Sequence, residues 1–207
     1  MTVKRWILVL LMVVAGLASA AMAVEEPAFK KVLHEGDFEL RDYPALVAAE
    51  VTVAGDQKEA ASKGFRLLAA YIFGGNKRRQ SIAMTAPVAQ QAASQKIAMT
   101  APVAQTQTTA GAWVVRFTMP SAYTLQTLPV PDDARVSLRN IDPARFAVLR
   151  FSGLAQPGDV EARSSELLAL VKSHRLRTVG PVSLAQYNPP WTLWFMRRNE
   201  VMIEVER

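Results

Sequence analysis

The chain reads as an α+β domain: a distorted antiparallel β-barrel built from two pseudo-repeated halves, with two helices packed on the sheet. Three observations point there. Short stretches of alternating apolar and polar residues, the period of a half-buried strand, recur along the chain. Two longer stretches carry helical periodicity with start and stop signals. Finally, Phe38 to Gly55 (FELRDYPALVAAEVTVAG) lies without a gap over Val136 to Gly153 (VSLRNIDPARFAVLRFSG), and both have Leu-Arg at the third and fourth places and a final glycine. Each copy is followed by a helix-like segment, a Pro-Val strand and a last strand, 113–119 in one half and 200–206 in the other, so the repeat spans a whole supersecondary unit.

From the N-terminus, Lys4 and Arg5 precede an acid-free apolar run, Trp6 to Leu17, and a small-residue segment, Ala18 to Ala23. This is the layout of a secretory signal peptide. Of the two Ala-x-Ala sites, the one ending at Ala23 is preferred because Val24-Glu25-Glu26-Pro27 then opens a polar mature chain. The rival reading, an uncleaved anchor over 6–23, sits at the short edge of a membrane span and is mostly alanine in its second half. The expected organisation is therefore 1–23 signal peptide and 24–207 one domain, secreted or periplasmic. Without cysteine there is no lipoprotein signal and no disulfide, and the fold rests on its core.

In the first helix Asp56 is the N-cap, Glu59 its capping-box partner, and Gly74-Gly75-Asn76 the stop; Ala61, Phe65, Leu68 and Ile72 form the expected inward stripe. The second helix is expected from Asp159 to about His174, with Leu167, Leu168 and Val171 inward. Phe146 to Phe151 alternates as a strand. Val201, Ile203 and Val205 alternate with Met202, Glu204 and Glu206, the pattern of an edge strand buried on one face. Ile82 to Val88 (IAMTAPV) returns residue for residue as Ile97 to Val103. The two copies are expected to pair as a hairpin around the polar stretch 90–95, with Pro87 and Pro102 off the ladder.

Half of the residues are hydrophobic, which excludes a disordered chain. The formal charge is +6, but Lys4 and Arg5 would leave with the signal, so 22 basic and 18 acidic residues leave +4. The basic residues are scattered apart from Lys77-Arg78-Arg79, and export separates the chain from DNA, so nucleic acid is not an expected partner. The catalytic signatures G-x-S-x-G, Walker loop, G-x-G-x-x-G and H-E-x-x-H are absent. With no cysteine and two histidines, a structural zinc site has no ligand set.

Several strings point to one family. They are FELRDY (38–43), GFRLLAAYIFGGN (64–76), KIAMTAPV (96–103), RFTMPSAYTLQTL (116–128), PARFAVLRFSG (143–153) and YNPPWTLWFMRRNEV (187–201). In order and spacing this set resembles the SOUL haem-binding protein family over nearly everything from Pro27 to Arg207. The resemblance implies a distorted barrel with two helices. It also implies an exported binding protein, not an enzyme, that holds haem or a related tetrapyrrole in an apolar pocket with basic residues at its carboxylates. In some members the proposed axial ligand is a histidine between the Arg and Tyr of the first string; here that place is Asp42. Other members are thought to hold tetrapyrrole on an apolar face beside the first helix, which by position implies Lys63 and Arg66 as propionate partners. His34 and His174 are the only histidines, and Met84, Met99, Met119 and Met196 offer thioethers as axial ligands. Trp191 and Trp194, beside Pro189-Pro190 and followed by Arg197, are the candidates for an aromatic pocket wall.

Two other classes remain open on the sequence. One is an enzyme acting on a small apolar or tetrapyrrole substrate through a pocket carboxylate such as Glu50 or Glu204, since the two-repeat layout is also similar to effector-binding domains of the GyrI-like kind. The other is a protein-interaction module using Val201 to Val205 as an exposed edge. The ligand's identity, the axial ligand and the oligomeric state are not readable from these residues.

Overall fold

The computed structural model describes residues 24–78, 94–108, 110–189 and 191–207. In chain order the elements are β1 (Lys30–Glu35), β2 (Phe38–Tyr43), β3 (Leu46–Val53), α1 (Gln57–Ile72), β4 (Asn76–Lys77), β5 (Val103–Gln107), β6 (Trp113–Thr118), β7 (Val130–Pro131), β8 (Ser137–Ile141), β9 (Ala144–Ser152), α2 (Pro157–Ser173), β10 (Thr178–Gln186) and β11 (Arg198–Val205). The alternating stretches assemble into one nine-stranded sheet of order β1-β2-β9-β11-β10-β5-β6-β3-β8, antiparallel at every pairing; β4 and β7 form a separate small ladder. The expected class, two helices on a large antiparallel sheet, is what forms.

The barrel is not. The sheet is open, with β1 and β8 at its two ends. Alternation fixes which face of a strand is buried and carries no information on whether the last strand meets the first. Both open edges are blunted in the usual way. β1 is charged at Lys30, Lys31 and Glu35 and bulged between Lys31 and Leu33, while β8 is five residues long and carries exposed Arg139.

The repeat is visible in the topology. With β1 set aside, the order reads the same from either end once β2 is matched with β8, β3 with β9, β5 with β10 and β6 with β11. Register agrees: Arg41 opposes Phe146 and Arg139 opposes Ala48, the same two positions of the gapless overlay. In the first half Val51 opposes Val115, which opposes Gln105; in the second Leu149 opposes Val201, which opposes Leu184. Gln105 and Leu184 then oppose each other, so the pseudo-two-fold axis passes through that pair. The first strand of each half is exchanged, β2 pairing with β9 and β8 with β3.

Both helices lie on one side, α1 over β3 and β6 and α2 over β9, β10 and β11. Asp56 caps α1 by accepting from the Glu59 amide at 2.8 Å. The buried face of α1 is Ala60, Gly64, Leu68, Tyr71 and Ile72, sharing only Leu68 and Ile72 with the expected stripe; Phe65 is partly exposed and stacks edge-on to Phe117. The cause is Gly64. A Cβ there would stand 2.5 Å from Val115 Cγ2, so the helix approaches the sheet on its smallest residue. α2 starts two residues before the expected Asp159, with Gln156 and Asp159 forming a capping box, and buries Leu167 and Val171 while Leu168 faces solvent.

Two further expectations need correction or fall away. Val201–Val205 is not an edge: β11 lies between β9 and β10, and Met202 is buried on the face opposite Val201 and Ile203. The hairpin of the two IAMTAPV copies has its first arm outside the described residues, as do the signal segment, Arg79 and Met84. The second copy enters the sheet only at Val103. Before that, the Ile97 amide donates to Ile72 O at 2.8 Å, the Ala101 amide to Glu25 O at 2.9 Å, and Thr100 bridges to Glu25 and donates its hydroxyl to Thr118 O. Among the described residues no helix is long and apolar enough to cross a membrane.

Candidate functional site

The helix side of the sheet is filled, among the described residues, by two apolar clusters, one per half. The other side is where charge collects. On β2, residues 39, 41 and 43 point there, and on β11 residues 198, 200 and 202. Glu200 is fully buried; Arg41 Nη1 donates to its Oε2 at 2.7 Å and Nη2 to its Oε1 at 3.0 Å, Tyr187 donates its hydroxyl to Oε2 at 2.6 Å, and Arg198 Nε donates to Oε1 at 3.1 Å. Phe29, from the segment before β1, lies 4.4 Å over the Arg41 guanidinium and packs on Tyr43. Burial pushes the Glu200 carboxyl up, but Arg41, Tyr187 and Arg198 outweigh it and hold it below the ordinary carboxylate range. Burial and the Glu200 charge push the Tyr187 phenol well up. Every oxygen of Glu200 is taken, so this cluster is a structural centre with no free valence for a ligand.

Glu50, on the same side in the other half, is bound by Arg116 at 2.9 Å and Arg139 at 2.7 Å. It is therefore not the partnerless carboxylate that an enzyme reading asks for.

Two clefts open on the surface. One, of about 230 Å³, lies under the segment 25–28, between 44–47 and 118–121. The other, of about 450 Å³, lies between the end of β9, the first turns of α2 and the loop joining β10 to β11. Small-molecule sites span roughly 300–1,000 Å³, so only the second has the size for a large ring. Its apolar walls are Phe151, Leu154, Ala162 and Trp194, and Arg163 lies at its side, ion-paired with Glu166 at 2.7 Å. None of its lining residues is His, Met or Tyr.

That loop is tied by its own backbone. Arg198 N donates to Asn188 Oδ1 at 2.6 Å, Thr192 N to Pro189 O at 3.0 Å, Met196 N to Leu193 O at 2.9 Å, and Arg197 Nε to Thr192 O at 2.8 Å. With its polar groups satisfied internally, the loop holds a short 3-10 turn, Trp194–Met196, without burying its side chains. Trp191 is 82% exposed and Met196 63%, and Leu193, Trp194 and Phe195 are each more than half exposed. Trp194 and Phe195 meet edge to face at 5.7 Å.

The candidate site residues fall into three separate groups. Lys63 and Arg66 are exposed on α1, with Lys63 paired to Glu59 at 3.6 Å, and line neither cleft. His34 and His174 share a corner at the far end of α2: His34 Nδ1 is 3.1 Å from Glu39, while His174 stacks on Phe38 at 5.1 Å and places Nε2 3.4 Å from Glu35. The cleft sits at the N-terminal end of α2 and His174 caps its C-terminal end, roughly 20 Å away along the helix. Trp191, Trp194 and Arg197 form the third group, and of these Trp194 reaches the cleft. Asp42 is held by Arg145 at 2.7 and 2.9 Å, which keeps its carboxyl below the ordinary range and leaves it committed to a cross-strand ion pair. Sequence reasoning missed Leu154 and Arg163; an apolar residue directly after the strand-ending Gly153 was the available signal for the first. Among the described residues no three of His, Cys, Asp or Glu converge as a metal site.

A family model described as SOUL heme-binding protein matches residues 24–204. No curated protein sequence matches the chain. Among solved structures, the fold is similar to the EcmrR C-terminal domain (TM-score 0.60, 7% identity, 82% of this chain and 97% of that one). It is also similar to a structure described as a hydrolase from Listeria innocua (TM-score 0.55, 12% identity, 84% and 94%). At these identities the likeness is one of fold alone.

Proposed function

We propose that this chain, which belongs to the SOUL heme-binding protein family, is an exported binding protein, without turnover, that seats haem or a related planar tetrapyrrole against Trp194 in the cleft beside α2. One observation carries the reading: the loop 191–196 leaves large apolar surface unburied and walls, among the described residues, a cleft of ring size. Folding alone does not ask for this. Solvated tryptophan costs stability, and surface of this kind marks binding sites. The ring would lie on Trp194 and Leu154, gaining roughly 25 cal/mol for each Å² removed from water. Arg163 would exchange Glu166 for a ligand carboxylate. Exposed pairs of this kind are worth little, so the exchange costs little.

With no His, Met or Tyr among the described residues of the cleft, this seat would draw its affinity from the ring and its carboxylates, without an axial ligand. The expected result of titrating the chain from Val24 is one saturable site whose affinity for metal-free protoporphyrin matches that for haem within a few fold. Trp194→Ala should weaken both by about tenfold or more, the effect of deleting an aromatic anchor. His34→Ala, His174→Ala and the double variant Lys63→Glu with Arg66→Glu should bind as the parent does. If instead the α1 double variant loses the ligand and Trp194→Ala keeps it, the seat is beside the first helix and this assignment is wrong. Export rests on the N-terminal pattern; the exported product should begin at Val24 when its terminus is sequenced.

A further inference from the structure

Trp194 is the one loop residue that turns into the cleft. Trp191, Leu193, Phe195 and Met196 do not line it, and all four stand more than half exposed on a loop fixed by its own hydrogen bonds. We infer that this tip docks on a phospholipid bilayer, so that the cleft opens at the membrane surface. The inference rests on the cleft being the ligand seat only for its purpose; the docking itself stands on the tip.

Three observations favour a bilayer over a protein partner. The side chains are a tryptophan with leucine, phenylalanine and methionine, the mix that settles at the boundary of acyl chains and headgroups, where an indole buries its ring and keeps its N–H wet. The charge is one-sided. From Tyr187 to Asn199 there is no carboxylate, and Arg197 stands at the root of the tip, where headgroup phosphates would lie; Arg198 beside it is committed to Glu26 and Glu200. Lastly, the tip is small. Four side chains of this size expose roughly 500 Å² together, below the ~800 Å² per partner that a stable protein interface buries, whereas shallow insertion into a bilayer needs no complementary surface. A planar apolar ring partitions into the same medium, so a cleft beside an inserted tip meets its ligand where the ligand is concentrated.

The test uses the chain from Val24 and sucrose-loaded vesicles of phosphatidylcholine with about 30 mol% phosphatidylglycerol, without tetrapyrrole. The protein should sediment with the vesicles, its tryptophan emission should move to shorter wavelength, and both should weaken in pure phosphatidylcholine. The triple variant Trp191→Ser, Leu193→Ser, Phe195→Ser should lose roughly tenfold or more of its partitioning, since most of the tip's apolar area is gone. Its titration with protoporphyrin should be unchanged, because none of the three lines the cleft. Failure of the parent to bind either vesicle, or equal binding by the triple variant, overturns the docking while leaving the ligand seat standing. Loss of protoporphyrin binding in the triple variant, with no vesicle binding by the parent, would assign these side chains to the ligand and overturn the docking as well. Vesicle binding that survives in Trp194→Ala, alongside lost protoporphyrin binding, supports the docking on its own.

Discussion

Arg41 and Arg139 occupy the same place in the two repeats, face the same side of the sheet and each bind a glutamate, yet one is 3% exposed and the other lies on an open edge with its side chain 65% exposed. The difference does not come from the repeat. β2 is covered at its outer side by β1, and Phe29 lies over the guanidinium, whereas β8 is the last strand and nothing among the described residues pairs beyond it. One added strand and the segment leading into it turned a surface ion pair into a buried centre. The same residue at the same register acquires a different energetic role from what is laid over it.

That contrast can be broken, and the largest effect should come from the buried side. Glu200→Gln removes the charge that binds both Nη atoms of buried Arg41, leaving it Glu39 as its carboxylate partner among the described residues, and is expected to cost about 3 kcal/mol in urea unfolding. Glu50→Gln, its counterpart in the open half, should cost about 1 kcal/mol or less. Equal losses would show that the cover over Arg41 does not matter. A middle-sized effect is expected from acid. Glu200 is held below its unfolded-state value of 4.5, so its contribution is present above that value and is lost as pH falls through its folded pKa. Asp42 and Glu39 are depressed in the same direction; for Glu39 desolvation is the largest single cause and pushes up, but Lys31 and Arg41 together outweigh it. Stability measured downward from pH 5 should therefore fall, and it should fall less steeply in Glu200→Gln; parallel curves would refute the assignment.

A smaller and opposite effect is expected at the axis. Gln105 is buried with its Oε1 lacking a partner among the described residues, opposite Leu184 on the other half. Gln105→Leu makes the pair alike and removes an unsatisfied acceptor, and it should raise stability by about 1 kcal/mol. A loss on this change would show that the amide serves a contact of its own.

Much of the frame was legible beforehand because it rests on local rules. The Asp56 cap, the stop at Gly74-Gly75, and the gapless overlay of 38–55 on 136–153 need only nearest neighbours or self-comparison; the expected return bond from the Glu59 side chain is not made, and Glu59 pairs with Lys63 instead. What was not legible depended on remote partners. β11 resembled an edge because Met202, Glu204 and Glu206 alternate with Val201, Ile203 and Val205, and that local pattern does not reveal that β9 and β10 flank the strand and bury Met202. The inward face of α1 was right at Leu68 and Ile72 and wrong at Ala61 and Phe65, because hydropathy gives no weight to Gly64, whose missing side chain sets the helix-to-sheet distance, and undervalues Tyr71, whose hydroxyl donates to Pro129 O at 3.0 Å. The site divided the same way. Trp194 was readable from composition, but its cleft is made by Leu154 and Arg163, which come to it only through the packing of α2.

The seam between β5 and β10 has the geometry of an isologous contact, in which two equal surfaces meet across a two-fold axis. Two separate copies of one repeat would have to find each other to make it, at a cost set by their concentration. Here a single chain carries both, and the linker through β7 supplies the second at an effective concentration on the order of millimolar. Joining them also ended a constraint. In a homodimer every change appears twice, so Arg41 could not have been buried without burying Arg139, nor one loop have grown a tryptophan tip without its twin. Fused, the halves keep a common sheet and are free to differ in what they present to the world outside it.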